Sequence, residues 1–388
     1  MTVLFEFLDK EPIENYITCL NYNIDKVYFL GYFEEIKRQK ERVKAFLKGY
    51  CGVKEVSFDP ISESDIQSVI KNIKDHIEYE KSQKNDVYFD ITGGESLILV
   101  AFGIVASEIK VPIHFFDVVE NRIHELNTGA SSSLSKTGAK REVRMDLDAY
   151  LMMQGAKIDH DRHKSNKDAT STNISIALQI WEVIKEVGDL WNPFSMFMSR
   201  YMSGDDSLHV SMDARRVIEL LGKSNNAFDT PAELNAILDK FEERGLITDL
   251  VHSDGRYSFT YKNAKVKKFI SEGGSALEVR AMELESVNAD YYMAGVHIDW
   301  DGKINGPDKD DLKNEIDVLK LNGFVPTFIS CKGGKNVQHK FPEALYELDT
   351  LAGRFGGKYA RKKIYITQDI SDVHSERARE MNIEVVKL

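Results

Sequence analysis

The stretch from residue 314 to residue 332, NEIDVLKLNGFVPTFISCK, constrains the fold more than any other part of the chain. Its first half alternates with a period of two, which is typical of a β-strand. Asn322-Gly323 then predicts a tight hairpin turn, because both residues tolerate a positive φ. A second apolar run, from Phe324 to Cys331 with Pro326 near its start, predicts the returning strand. We therefore expect two paired strands here.

Charged side chains fall at matching places on the two predicted strands. Glu315 and Asp317 are two residues apart and so share a face, as do Ser330 and Lys332 on the second strand. Pairing would bring a carboxylate close to an ammonium group. This arrangement can hold a divalent metal ion and a charge-stabilising lysine beside a phosphodiester. The alternative is an edge hairpin with solvated charges.

These residues resemble the core of the PD-(D/E)xK, restriction-endonuclease-like nucleases. In that family an Asp on one strand is followed by an acidic residue, any residue and a Lys on the next. Asp317 matches the Asp and Lys332 matches the Lys, whereas Ser330 stands where Asp or Glu is usual. The resemblance implies that Mg²⁺ or Mn²⁺ is held by Asp317 and the backbone carbonyl of Cys331, with Glu315 or water completing the shell. It also implies a ligand from the first helix of the domain, for which Glu278 is the match; the alternative for Glu278 is a surface carboxylate.

The whole composition limits the class of protein. A chain of 388 residues with 42% apolar and 29% charged residues predicts two or three soluble globular domains. A net charge of −11 argues against a general nucleic-acid coat protein, which would be basic. No apolar run reaches the roughly 20 residues that span a bilayer, and the first residues lack the features of a signal peptide. Three widely spaced cysteines, Cys19, Cys51 and Cys331, predict reduced thiols in a cytoplasmic protein.

Residues 1 to about 150 alternate between strand and helix patterns, which predicts a parallel, doubly wound sheet. Ligands of such sheets bind beyond the carboxyl ends of the strands, at the point where the strand order reverses. Two predicted loops lie there, and two glycines before a helix can leave backbone N–H groups for a phosphate. The alternative is a tight strand-to-helix turn. The residues of the two loops are Asp9, Lys10, Glu11 and Pro12, and Thr92, Gly93, Gly94, Glu95 and Ser96.

The second loop resembles that of the CARF domain, the CRISPR-associated Rossmann fold. In that family a strand ending in a TGGTK-like sequence contacts cyclic oligoadenylate. Thr92, Gly93 and Gly94 match, whereas Glu95 and Ser96 replace the usual Thr and Lys, so we expect Lys10 to supply the missing charge. A CARF domain followed by a restriction-like nuclease occurs in ancillary nucleases of type III CRISPR systems, and both parts match here in that order.

The middle of the chain predicts a linker and an adaptor. Residues 158 to 173 are rich in charge, Ser and Thr, which is typical of a linker. Three helical patterns and a hairpin then predict a winged-helix-like module. Its expected groove-reading helix, residues 231 to 244, carries four acidic residues against two basic ones, so we interpret the module as an adaptor rather than a DNA reader.

The sequence and these resemblances together predict an α/β protein with three parts: a Rossmann-like CARF domain (1–150), a linker and winged-helix-like module (151–270) and a restriction-endonuclease-like domain (271–388). The resemblances imply a homodimeric, metal-dependent endonuclease that cleaves DNA and possibly RNA. They also imply an allosteric activator, a cyclic oligoadenylate, with cyclic tetra-adenylate the expected ring. The proposed catalytic set is Glu278, Glu315, Asp317 and Lys332. The alternative is a ligand-responsive winged-helix regulator with an inactive nuclease-like domain.

Overall fold

The computed structural model describes residues 1–62, 65–140, 145–160, 170–202, 207–223, 231–253, 255–303, 313–334 and 337–388. It has a mixed α/β fold built on three sheets. In the described part of the chain, none of the helices combines the length and the apolar character that crossing a bilayer would need.

The first sheet has six strands in the order β3-β2-β1-β4-β5-β6, in which β1 to β5 are parallel and β6 is antiparallel. The sheet is doubly wound, as expected, and its order reverses between β1 and β4. Its elements are β1 (Thr2–Phe7), α1 (Ile17–Asn21), β2 (Lys26–Tyr32), α2 (Phe33–Phe46), β3 (Glu55–Ile61), α3 (Ile66–Ser82), β4 (Asp86–Asp90), α4 (Ser96–Ile109), β5 (Ile113–Asp117) and β6 (Arg122–Leu126).

A short connection and a helical segment follow. The three-stranded sheet of this segment has the order β8-β10-β9, with antiparallel pairs. The elements are α5 (Leu147–Met153), β7 (Lys157–Ile158), α6 (Ser171–Val187), α7 (Trp191–Phe197), β8 (His209–Asp213), α8 (Ala214–Lys223), α9 (Pro231–Glu243), β9 (Ile247–Val251), β10 (Arg256–Tyr261) and α10 (Ala264–Ser271).

The last sheet has the order β15-β14-β13-β12-β11-β7. Its remaining elements are α11 (Ser275–Glu285), β11 (Tyr291–Asp299), β12 (Lys313–Asn322), β13 (Val325–Lys332), α12 (Val337–Gly356), β14 (Arg361–Ile366), α13 (Asp372–Glu380) and β15 (Ile383–Lys387). The edge strand β7 comes from far upstream, where Ile158 pairs with Ile298. Ile158 was expected to open a linker; residues 161–169 of that predicted linker lie outside the described residues.

The predicted hairpin of the last sheet is present, but its turn lies one residue later than expected. Asn322 is the last residue of β12 and pairs with Val325, so the two loop residues are Gly323 and Phe324 rather than Asn322 and Gly323. Gly323 has φ +57. A glycine at the first position of a two-residue turn matches the twist of antiparallel strands, which accounts for the shift.

Apolar side chains form cores that connect the sheets. One cluster lies against α3 and α4 on one face of the first sheet. A second continues from α1 and α2, through α5, to α12 and one face of the last sheet. A third joins the middle segment to α11 and the other face of the last sheet. The last sheet is therefore packed against both other parts of the chain.

Candidate active site and ligand loops

Strands β12 and β13 part at the position where the sequence predicts catalytic residues. Their ladder runs from Asn322 and Val325 to Val318 and Ile329, where the pairing ends. On the other side of β12, the ladder with β11 skips Asp317 and its opposite residue Gly295, which has φ +63. A glycine in this conformation kinks a strand locally and re-aims its neighbours. Asp317 thus lies at an interruption of the sheet.

The carboxylate of Asp317 takes the place of the missing ladder partner. Its Oδ2 accepts hydrogen bonds from the Cys331 backbone N–H, at 2.6 Å, and from the Ser330 hydroxyl, at 3.1 Å. Lys332 Nζ lies 3.9 Å from the same oxygen, and both side chains are partly buried. Both of these hydrogen bonds are accepted by Oδ2, and Asp317 Oδ1 accepts none from the described residues. The structure therefore brings Asp317, Ser330, Cys331 and Lys332 together.

Glu315 lies beside this group, on β12, with its Oε2 3.9 Å from His297 Nε2 on β11. Glu278 lies in the first turn of α11. Its neighbour Leu277 faces Gly333, because a Cβ built on Gly333 would lie 3.7 Å from Leu277 Cδ2. The first turn of α11 therefore borders the end of β13, directly after Lys332.

The predicted metal ligands do not form a closed set of side chains. Among the described residues, the one group of three whose ligand atoms all lie within 4.8 Å of one another is Asp117, Glu120 and His124. Asp117 ends β5, Glu120 lies in the following turn and His124 lies on β6. Asp117 Oδ1 also accepts the N–H groups of Val119 and Glu120. The turn and the pairing of β5 with β6 thus account for the closeness of these side chains, and sequence reasoning did not single them out.

Helix α7 of the middle segment supplies a neighbour that sequence reasoning missed. Asn192 Nδ2 donates to the carbonyl of Gly333, at 3.1 Å, and Trp191 Nε1 donates to the carbonyl of Gly273, at 2.8 Å, just before α11. These bonds fix the loop after Lys332 against the start of the helix that carries Glu278. Nothing in the local sequence around Asn192 signals such a long-range contact.

The two loops of the first sheet meet where the strand order reverses. Asp9 Oδ2 accepts the N–H of Gly94 at 2.8 Å, and Asp9 Oδ1 accepts the N–H of Glu11 at 2.8 Å. A Cβ on Gly93 would lie 2.9 Å from Asp9 Cβ and from Glu14 Oε2, a separation that real side chains do not adopt. Glycine is therefore required for this close approach, and the Gly94 N–H, which was expected to face a phosphate, is bound within the protein.

The loop residues differ in where they point. Lys10, Glu95 and Ser96 are exposed, whereas Pro12 is buried. Tyr32 donates its hydroxyl to Glu95 Oε2 at 2.8 Å. The carboxylate of Glu11 turns away from the loop and accepts the N–H of Lys358, at 2.9 Å, in the last part of the chain.

A buried polar group holds Thr92 in place. Asp90 Oδ1 accepts the Thr92 N–H at 2.7 Å, and Asp90 Oδ2 lies 3.3 Å from His114 Nε2. Burial works to raise the pKa of Asp90, but His114 and the hydrogen bonds from Thr18 and Thr92 outweigh it and hold that pKa below its ordinary value. Thr92 Oγ1 in turn accepts the N–H of Phe116 at 2.9 Å, so the loop is anchored to β4 and β5.

The basic residues of the predicted groove-reading helix are already engaged within the protein. Lys240, on α9, and Arg244, the residue directly after that helix, both form ion pairs with Glu186 on α6. This helix therefore has its cationic side chains directed at a neighbouring helix.

Comparison with solved structures identifies proteins of the same fold. The crystal structure of protein VC1899 from Vibrio cholerae aligns with a TM-score of 0.70 and 16% identity, covering 100% of this chain and 94% of that one. Can2 from Sulfobacillus thermosulfidooxidans, solved in complex with cyclic tetra-adenylate, aligns with a TM-score of 0.67 and 16% identity, covering 100% of this chain and 95% of that one. No family model matches the chain, and no curated protein matches its sequence.

Proposed function

We propose that this chain is a metal-dependent nuclease of type III CRISPR defence, activated by a cyclic oligoadenylate. The observation that carries the proposal is the Asp317 carboxylate, held by Cys331 and Ser330 beside Lys332 where two strands part. It occurs in a chain that shares its fold, over its whole length, with a structure solved with cyclic tetra-adenylate. The finer layout that we propose is a CARF domain, a winged-helix-like adaptor and a restriction-endonuclease-like domain.

The residues at the parted strands fit a hard divalent cation. Asp317 Oδ1, the Cys331 carbonyl and Glu278 would hold Mg²⁺ or Mn²⁺ with water, and Glu315 would contribute nearby negative charge, because such ions prefer oxygen ligands. When bound, the ion would supply a water of lowered pKa and polarise the scissile phosphate. Asp317 is oriented for this task by the two hydrogen bonds to its other oxygen. Lys332 orients the attacking water or stabilises negative charge on the phosphorus centre.

The activator would bind where the first two loops meet, at Asp9–Pro12 and Thr92–Ser96. Lys10 and the start of α4, where Ser96 is exposed, would face the ring phosphates, since a helix N-terminus favours anions. Asp9, Thr92, Gly93 and Gly94 would form the floor of this proposed site. A two-fold symmetric ring suits an isologous interface, so we propose that two copies of the chain form the complete site.

The test is cleavage of labelled single-stranded DNA and RNA with Mn²⁺, in the presence and absence of cyclic tetra-adenylate. We expect ring-stimulated cleavage by the wild-type protein, and losses of about 100-fold or more in Asp317→Ala and Lys332→Ala. Asp349→Ala is the matched control, because Asp349 pairs with Lys362 at the surface of the same domain. Cleavage at the wild-type rate by both site variants would remove this assignment.

A second function is favoured by one residue. Ser330 occupies the position of a usual acidic ligand and instead donates its hydroxyl to Asp317. A ligand-responsive DNA-binding regulator with an inactive nuclease-like domain would tolerate this change. Metal-independent, ring-responsive binding to a DNA duplex without cleavage would favour the regulator over the nuclease.

A further inference from the structure

The segment after β1 is joined to the turn that precedes β14 of the last sheet by four residues: Glu11, Glu14, Lys358 and Tyr359. Tyr359 donates its hydroxyl to Glu14 Oε1 at 2.6 Å, and Lys358 Nζ lies 2.5 Å from the same oxygen. The backbone N–H of Lys358 donates to Glu11 Oε2 at 2.9 Å. We call these four residues the bridge cluster.

The bridge cluster is built around a buried carboxylate, with Glu11 and Tyr359 partly buried and Lys358 exposed. Glu14 is 3% exposed, and burial raises the pKa of both Glu14 and Glu11. Gly357 has φ +60, and a Cβ there would lie 2.2 Å from Glu11 Oε2. The turn that carries Lys358 and Tyr359 therefore fits against the Glu11 carboxylate only because residue 357 is a glycine.

Glu14 contacts the second loop as well. Its Oε2 would be 2.9 Å from a Cβ on Gly93, so the carboxylate lies directly against the Thr92–Gly94 segment. One oxygen of Glu14 thus faces the loop proposed to bind the ring, and the other is held by the last part of the chain. A shift of either partner is transmitted to this one carboxylate.

On its other side the cluster leads to the candidate active site. Tyr359 precedes β14, which runs parallel to β13 with Arg361 opposite Thr327 and Ile366 opposite Lys332. Five residue steps along a strand span roughly 17 Å. A displacement at Tyr359 therefore acts on one end of a hydrogen-bonded pair of strands whose other end carries Lys332.

We propose that Glu14 is the positioning residue that couples ring binding to the active site. The inference rests on the proposed function and assigns the route of its activation. Phosphates arriving beside Gly93 place negative charge next to Glu14, which alters its hold on Lys358 and Tyr359 and so repositions β14 and β13. Glu14 itself contacts neither the reacting phosphate nor its metal.

The test separates ring binding from ring response. Glu14→Gln keeps the size of the side chain but removes its charge, and Tyr359→Phe removes only the phenol hydroxyl. For each variant the dissociation constant of cyclic tetra-adenylate is measured by calorimetry. Cleavage of labelled single-stranded DNA with Mn²⁺ is then measured without ring and at saturating ring. We expect ring affinity near that of the wild type, and a stimulation ratio reduced by at least about fivefold, the lower range of allosteric coupling.

A matched control removes a charge from the same domain. Glu55 lies on the edge strand β3, with its Oε2 3.2 Å from Lys26 Nζ, and its side chain is 56% exposed. The variant Glu55→Gln should leave the stimulation ratio unchanged. Equal stimulation of both bridge variants and the wild type would overturn the coupling while leaving the proposed function intact. Loss of ring affinity in both variants would also overturn it, because Glu14 would then belong to the binding site. A wild-type protein that ignores the ring would overturn the proposed function, and the coupling with it.

Discussion

At the scale of single residues, Glu285 shows how one carboxylate fixes a helix to a sheet. It lies at the end of α11 and is 6% exposed. Its carboxylate accepts hydrogen bonds from Lys320 and Tyr365 and forms an ion pair with Lys363. Burial works to raise its pKa, but these three partners outweigh burial and lower that pKa to about 2. The charged carboxylate is therefore stabilised by the folded protein.

We predict that Glu285→Gln destabilises the protein by about 3 kcal/mol at pH 7, since it leaves two lysines without their shared partner. The folded-state pKa is depressed, so this stabilisation is complete above the ordinary value of 4.5 and is lost as the pH falls towards about 2. Urea unfolding of both proteins across that range checks the prediction. Glu283→Gln, on the same helix but more exposed and ion-paired only with Arg280 among the described residues, is the control. If the difference in free energy of unfolding between the wild type and Glu285→Gln did not shrink as the pH falls, the prediction would be wrong.

The same scale shows what a sequence can reveal about a site. Asp317 and Lys332 could be anticipated, because strand periodicity and a glycine turn bring them together within one hairpin. The bond between Glu14 and Tyr359 joins residues 345 positions apart, and that of Asn192 with Gly333 joins residues 141 apart. No local sequence pattern predicts either contact, since both depend on how elements that are distant in the sequence pack together.

At the scale of elements, the loop after β4 depends on the absence of a side chain at Gly93. We predict that Gly93→Ala weakens binding of cyclic tetra-adenylate by about tenfold or more, because the new methyl group forces apart Asp9 and Glu14 and distorts the loop. Calorimetric titration checks this. Gly353→Ala is the control: a Cβ there has nothing within 4 Å, and alanine favours the helix by about 1 kcal/mol. Unchanged affinity in Gly93→Ala would show that the ring binds elsewhere.

Element types were easier to predict than element partners. The alternation of apolar strands and amphipathic helices indicated the doubly wound sheet, because burial on both faces leaves a clear hydrophobic run in each strand. The two-residue strand β7 was missed, since Lys157 and Ile158 are too few to show a period and their partners in β11 lie about 140 positions later. The hairpin turn lies one residue later than predicted. Asn322 fits a turn as well as a strand, and in the structure it pairs with Val325 as the last residue of β12.

At the scale of the whole molecule, α4 carries an exposed apolar face that we propose a second copy of the chain covers. Leu97, Val100 and Ile104 are exposed to 49%, 56% and 41%, and their spacing of three and four residues places them on one face. This face begins at the loop proposed to bind the ring. The opposite face of α4 is buried in the first sheet's core, so the helix is apolar on both sides.

Under the proposal that two copies share a symmetric ring, these faces meet, and Val100→Glu should dissociate the dimer by placing an unpaired charge in its interface. We expect sedimentation velocity to show a dimer for the wild type and a monomer for Val100→Glu at the same protein concentration. The control is Val373→Glu, at a valine 77% exposed on α13, which should remain dimeric. Ring affinity should fall together with dimerisation in Val100→Glu, because each copy then offers only half of the site. A dimeric Val100→Glu protein with wild-type affinity for the ring would place the interface on another surface.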